Sequence, residues 1–201
     1  MLVIGLTGGI GTGKTEVTQV LLELGAVVIE SDKVAHSSYL PGTKAHEAIV
    51  SQFGNDVLDP SGFIDRKSLG KIVFSDPARR LELEEVVWPV VEEMIEARLA
   101  EEEKRGTKVV VFEVAKLYEP GWDRLADIVW TVESPRGDIG KRVEQRSGLD
   151  ESETGARLAA QLTSDERKSI ADLVIENNTT LDDLRDQIVE LWESISEKRN
   201  R

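Results

Sequence analysis

The sequence predicts an α/β protein: a doubly wound, five-stranded parallel sheet with a helical insertion and a helical lid. Three observations predict it. Five short runs are apolar at successive positions rather than at alternate ones, the pattern of strands covered on both faces. Helical repeats separate these runs, which is the order of a parallel sheet. A glycine-rich motif stands between the first run and the first helix.

The strand runs are Leu2–Leu6, Ala26–Ile29, Lys108–Glu113, Asp127–Val132 and Leu173–Ile175. Between the first two, Val17, Val20, Leu21 and Leu24 share one face of a helix over Thr15–Leu24, and Gly25 supplies its stop. At the far end Leu181, Leu184, Ile188, Leu191 and Ile195 repeat at helical steps and predict a closing amphipathic helix. From Ile29 to Lys108 there is little strand signal, and the stretch is too long for a plain crossover. It reads as a helical insertion with turns at Pro41-Gly42, Asp59-Pro60-Ser61-Gly62 and Asp76-Pro77. A second helical stretch, 134–167, carries Arg136, Arg142, Arg146, Arg157 and Arg167 and reads as the lid. The expected division is therefore a nucleotide-binding core of 1–35 and 106–201, lid included, with an insertion of 36–105.

Composition narrows the class. With 201 residues, 40% hydrophobic and 31% charged, the chain can bury one sizeable core and is not disordered. No apolar stretch approaches the roughly 20 residues that span a bilayer, and Met1-Leu2-Val3-Ile4-Gly5 lacks the basic flank of a signal peptide. There is no cysteine, hence no disulfide, thiolate metal site or cysteine nucleophile, and a cytoplasmic setting is expected. The net charge of −13 repels nucleic acid and anionic lipid, so neither is an expected partner. Much of the acid lies between Glu82 and Glu103, along a predicted solvated helix.

The chemistry begins at Gly8-Gly9-Ile10-Gly11-Thr12-Gly13-Lys14-Thr15, a complete G-x-x-x-x-G-K-[ST] phosphate loop between strand and helix. Gly8, Gly9, Gly11 and Gly13 let the backbone wrap closely, so that successive N–H groups, Thr12 among them, point at phosphate oxygens. The helix start adds its positive dipole end. Lys14 offers a mobile charge to the β- and γ-phosphates, Thr15 a hydroxyl ligand for Mg²⁺, and Glu16 completes the nucleotide-binding set. A nucleoside triphosphate with Mg²⁺ is the ligand this loop implies.

Two carboxylates follow strand ends. Ligands gather at the carboxyl edge of an open parallel sheet, so Asp32, just past the second strand, is expected to face the loop's crevice and take the proton of an attacking hydroxyl. Ser31 or Asp32 could equally cap a helix beginning at Lys33. Glu113 ends the third strand, where a carboxylate holds the Mg²⁺ hydration shell or forms an ion pair at the sheet edge. Arg142 and Arg146 share a helix face and Arg157 follows, a set that closes over transferring phosphate or forms a solvated basic face. His36 and His46 have no companions at metal-ligand spacing, read as polar packing residues and predict no zinc site.

Over nearly its whole length the sequence resembles the dephospho-coenzyme A kinase family. The resemblance rests on Gly5 to Thr15, on Asp32-Lys33-Val34-Ala35-His36 followed by Pro41-Gly42, and on Phe53-Gly54, Val57-Leu58, Gly62-Phe63-Ile64-Asp65-Arg66, Leu69 and Ile72-Val73-Phe74. Arg142, Arg146-Ser147-Gly148, Arg157, Gln161, Ala171-Asp172 and Asn177 continue it. It implies transfer of the ATP γ-phosphate to the 3′-hydroxyl of dephospho-coenzyme A, the last step of coenzyme A synthesis. Asp32 is then the base and Arg142 a catalytic stabiliser beside Lys14, with Arg146 and Arg157 on the nucleotide. Asp32, His36 and Arg66 would hold the acceptor. Three positions depart from the family pattern: Glu113-Val114-Ala115-Lys116-Leu117 replaces an Asp followed by Pro-Leu-Leu, Trp88-Pro89 replaces a His-Pro pair, and Ile139 replaces a Gln.

The departures leave open a related kinase for another small acceptor, such as a nucleoside or nucleotide. A nucleotide-binding regulator with decayed catalysis is the third reading, and intact Lys14, Thr15 and Asp32 argue against it. No Asn-Lys-x-Asp motif supports a guanine-nucleotide switch. Oligomeric state has no signature in the sequence.

Overall fold

The computed structural model describes residues 1–135, Ile139, Val143 and 151–199, apart from the side chains of 151–153 and 196–199. The chain divides into two compact units, one of Met1–Ile29 with Glu101–Arg201, the other of Glu30–Ala100.

The strands are β1 (Leu2–Thr7), β2 (Val27–Glu30), β3 (Val109–Glu113), β4 (Ile128–Glu133) and β5 (Leu173–Glu176), in spatial order β2-β3-β1-β4-β5. β1 pairs in parallel with β3 and with β4, and β4 with β5. This is the predicted parallel α/β architecture, and its two-sided burial explains the unbroken apolar runs. Ile4, Leu6, Val109, Val111, Trp130, Val132 and Ile175 pack on one face with Val17, Val20 and Leu21 of α1 (Lys14–Glu23) and Leu184 and Ile188 of α8 (Leu181–Arg199). The alternate residues Val3, Val110, Phe112 and Val129 are buried too, and Trp122 packs its ring 6.2 Å from that of Phe112.

Four strands run one residue further toward the carboxyl edge than the sequence predicts, ending on Thr7, Glu30, Glu133 and Glu176, while β3 ends at Glu113 as expected. The ladder binds main chain, so a polar final side chain does not stop it. At the opposite edge Asp127 and Asp172 lead into their strands, each carboxylate accepting a main-chain N–H, of Val3 at 2.8 Å and of Val129 at 2.7 Å.

In the first unit α6 (Glu151–Ala159) and α7 (Ser164–Ile170) precede β5. Thr163 caps α7 in a reciprocal box with Glu166, each side chain bonding to the other's main-chain N–H.

The second unit is helical, as the insertion's pattern predicts: α2 (Ser31–Ser38), α3 (Lys44–Phe53), α4 (Arg66–Ser75) and α5 (Pro77–Lys104), whose last residues belong to the first unit. Thr43 caps α3 and Asp65 caps α4, each accepting a first-turn N–H. α5 opens on Pro77, whose fixed φ and missing N–H suit a first helical position, and carries Pro89 inside it. Val87, Val91 and Ile95 form its buried stripe. Its acidic face is not uniformly solvated: Glu102 is buried, accepting hydrogen bonds from Arg105 at 2.6 Å and Thr107 at 2.7 Å.

Candidate active site

The phosphate loop joins the carboxyl end of β1 to α1. Gly13 is the N-cap of α1, in the left-handed conformation at φ 100°, and has no side chain with which to cap the first turn. The cap position itself thus offers no side-chain acceptor to the positive end of the helix, which favours an anion there. A Cβ at Gly13 would also overlap the amide nitrogen of Asn177. Gly9 is confined for a different reason: a Cβ there would stand 3.1 Å from the guanidinium of Arg167, which would have to give by a few tenths of an ångström.

The loop's carbonyls have donors. Lys14 Nζ donates to the carbonyls of Gly8 at 2.8 Å and Gly9 at 3.0 Å, and the Thr12 hydroxyl donates to Gly9 at 2.9 Å. The Thr12 carbonyl accepts from the Asn177 amide at 2.9 Å, while Gln161 accepts the N–H of Ile10 at 3.1 Å. Beneath the loop Arg167 and Glu133 form a buried bidentate pair, both contacts at 2.8 Å, and Arg167 also donates to the Leu162 carbonyl. Burial pushes the Glu133 carboxyl upward, but hydrogen bonds from Arg167, Ser164 and Thr131 and the Arg167 charge outweigh it and hold the carboxyl below its usual range.

Thr15 and Glu16 are exposed in the first turn of α1. Glu113, at the end of β3, stands in register with Leu6, two residues before the loop. Thr15 and Glu113 are hard oxygen donors of the kind Mg²⁺ takes. Among the described residues no group of three or more His, Cys, Asp or Glu could hold a metal ion.

In the second unit Asp32 lies in the first turn of α2, exposed. The helix begins at Ser31, two residues before the expected start at Lys33, and its N-cap position is Glu30. Asp32 is therefore not the cap, and α2 has no side-chain cap bond. The ring of His36 meets that of Tyr39, centroids 5.8 Å apart. Burial pushes the Tyr39 hydroxyl up, the Arg66 charge opposes this and the Asp32 charge adds to it, so Asp32, His36, Tyr39 and Arg66 form one neighbourhood. His46 is a packing residue, its Nε2 2.9 Å from the Gly62 carbonyl oxygen.

Arg142 and Arg146 lie outside the described residues. Arg157 is half-buried on α6. Arg167 is corrected: it was counted with the lid's basic residues, yet the carboxylate at the end of β4 draws it into the core. Sequence reasoning missed Tyr39, Glu133 and the role of Arg167; an acid closing a buried strand was the signal available for Glu133.

A family model described as Dephospho-CoA kinase matches residues 2–183. A dephospho-CoA kinase of Geobacter sulfurreducens is 44% identical over 192 residues, 96% of this chain and 98% of that one. The chain belongs to the dephospho-CoA kinase family. Among solved structures, a Campylobacter jejuni dephospho-CoA kinase aligns at 28% identity and a TM-score of 0.72, covering 98% of both chains. A Thermus thermophilus protein aligns at 34% identity and 0.79, covering 96% of this chain and 97% of its own.

Among the positions that depart from the family pattern, Ile139 packs against the loop. It is buried, and a Cβ on Gly11 would lie 3.2 Å from its side chain and 2.8 Å from that of Val143. An apolar residue there packs the loop. Trp88 and Lys116 are half-buried. No helix among the described residues is long and apolar enough to cross a membrane.

Proposed function

We propose that this dephospho-CoA kinase transfers the γ-phosphate of ATP to the 3′-hydroxyl of dephospho-coenzyme A, giving coenzyme A and ADP, in the cytoplasm. One observation carries the phosphate half of this reading: a glycine-rich loop that leads into a helix whose N-cap, Gly13, has no side chain to cap it, with Lys14 folded against the loop's carbonyls. Family membership supports the acceptor.

In this reading the loop's N–H groups and the N-terminus of α1 bind the β- and γ-phosphates. Lys14 leaves the Gly8 and Gly9 carbonyls to neutralise charge as the bond from γ-phosphorus to the bridging oxygen breaks. Thr15 and Glu113 would hold Mg²⁺, which when bound neutralises phosphate charge. Asp32 accepts the proton of the 3′-hydroxyl as its oxygen bonds to phosphorus. Arg142 stabilises the transferring group, Arg146 and Arg157 hold the nucleotide, and His36 and Arg66 orient the acceptor.

Purified chain is given Mg-ATP and a panel of hydroxyl acceptors, with ADP release followed over time. Turnover with dephospho-coenzyme A far above that with nucleosides and nucleotides is expected. Preference for another acceptor overturns the assignment, and ATP binding with no turnover would indicate a regulator.

A further inference from the structure

The loop's phosphate-facing geometry depends on a peptide plane held from outside the loop. In a trans peptide the C=O and N–H point in opposite directions. The carbonyl of Thr12 and the N–H of Gly13 share one such plane. Asn177 Nδ2 donates to that carbonyl at 2.9 Å, so the carbonyl points at Asn177, just past β5, and the Gly13 N–H points the opposite way.

Asn177 is built to stay in place. Its residue is 3% exposed. Its main-chain N–H donates to the Glu133 carbonyl at 2.7 Å, and its own carbonyl accepts from the Ser134 hydroxyl at 2.9 Å. The end of β4 therefore holds it at both main-chain groups, and the side chain meets the loop as a fixed donor. Gly13 leaves it room, since a Cβ at that position would overlap the amide nitrogen. Asp has nearly the same shape but can only accept when ionised, and would set a carboxylate oxygen against the Thr12 carbonyl.

We propose that Asn177 is a positioning residue for polyphosphate: by holding the Thr12 carbonyl toward itself it aims the Gly13 N–H at the nucleotide's phosphates. It acts through the loop and touches no reacting atom. The inference rests on the reading of the loop as the ATP site.

Mg-ADP and inorganic tripolyphosphate, which has no base, are titrated calorimetrically into the native chain, Asn177→Ala and Asn177→Asp, with thermal midpoints alongside. Turnover of dephospho-coenzyme A is measured at saturating ATP. Asn177→Ala is expected to weaken both ligands about tenfold, the factor that corresponds to about 1.4 kcal/mol. At saturating ATP its kcat should stay within about threefold of native, because the lost contact aids ground-state and transition-state binding alike. Asn177→Asp should weaken both ligands about a hundredfold, adding repulsion to the lost donor. Should Asn177→Asp fail to fold, Asn177→Ala alone decides. Unchanged affinity in Asn177→Ala overturns the proposal. So does a loss confined to Mg-ADP, which would make Asn177 a reader of the base. A native chain that binds both probes yet leaves dephospho-coenzyme A untouched removes the acceptor assignment and not this one.

Discussion

A side chain at Gly9 and one at Gly13 would meet different obstacles, and the difference is measurable. At Gly13 a side chain meets left-handed backbone and an Asn177 fixed by three hydrogen bonds. Gly13→Ala therefore combines strain of roughly 1–2 kcal/mol with a clash against the groups that orient the loop. Mg-ADP affinity should fall by about a hundredfold or more. At Gly9 the neighbour is the end of Arg167, so Gly9→Ala should cost stability, about 1–3 kcal/mol, and Mg-ADP affinity less than tenfold by the same scale. Titration calorimetry and urea unfolding of both variants check this, and the reverse ranking would refute it. The proposed catalytic roles are tested at the same scale. Lys14→Ala should lower kcat about 10²–10³-fold, as loss of one preorganised charge contact does. Asp32→Asn should lower it about 10²–10⁴-fold through loss of the base. A near-native kcat in Asp32→Asn would remove that role, and with the cap position at Glu30 no helix-cap explanation stands ready to replace it.

Among the elements, β4 and α7 form a pair whose coupling reaches the loop through Glu133 and Arg167. Folding depresses the Glu133 carboxyl below its usual range. Its contribution is therefore present above the unfolded value of about 4.3 and lost as pH falls through the lower folded value. Arg167→Met leaves the carboxylate buried and unpaired, which should cost about 3–5 kcal/mol near neutral pH. With the Arg167 bonds and charge gone, only the hydrogen bonds from Ser164 and Thr131 oppose burial, so the Glu133 pKa should rise and the folded variant bind a proton that the unfolded chain does not. Its deficit relative to the native chain should shrink from pH 8 to pH 5.5, read from urea midpoints. An equal deficit at both values would show that the pair does not govern this site. The same pair marks the limit of what sequence discloses. β1 and α1 were legible because strand, glycines, Lys14 and helix are contiguous and their pattern is local. Gln161, Arg167 and Asn177 reach the loop from far along the chain, and nothing near them names a partner. α2 was placed two residues late because Ser31 and Asp32 are good caps by type, whereas the helix starts at Ser31, directly after the last strand residue, Glu30, which takes the cap position. Four strand ends were placed one residue short of a polar last rung, whereas the end of β3 at Glu113 was placed correctly.

The whole molecule carries −13 charge, yet its proposed substrate is a polyanion. Attraction by Lys14 and the loop's N–H groups acts at contact, whereas the net charge acts over the Debye length, about 30 Å at 0.01 M salt and about 8 Å at 0.15 M. At low salt an approaching nucleotide feels the acidic field before it feels the loop. Added salt should screen that repulsion first, leaving the short contacts within the site largely intact. Stopped-flow association of a fluorescent ADP analogue, at fixed free Mg²⁺, should therefore quicken by about two- to fivefold between 10 and 150 mM KCl, the sign expected for like-charged partners. The dissociation rate should change less than the association rate. Duplex DNA presents the same sign of charge over a larger surface with no loop to capture it, so no binding is expected at 150 mM KCl. An association rate that falls with salt would mean that the field at the loop is positive well beyond contact range. The net charge of the molecule would then say nothing about how its nucleotide arrives.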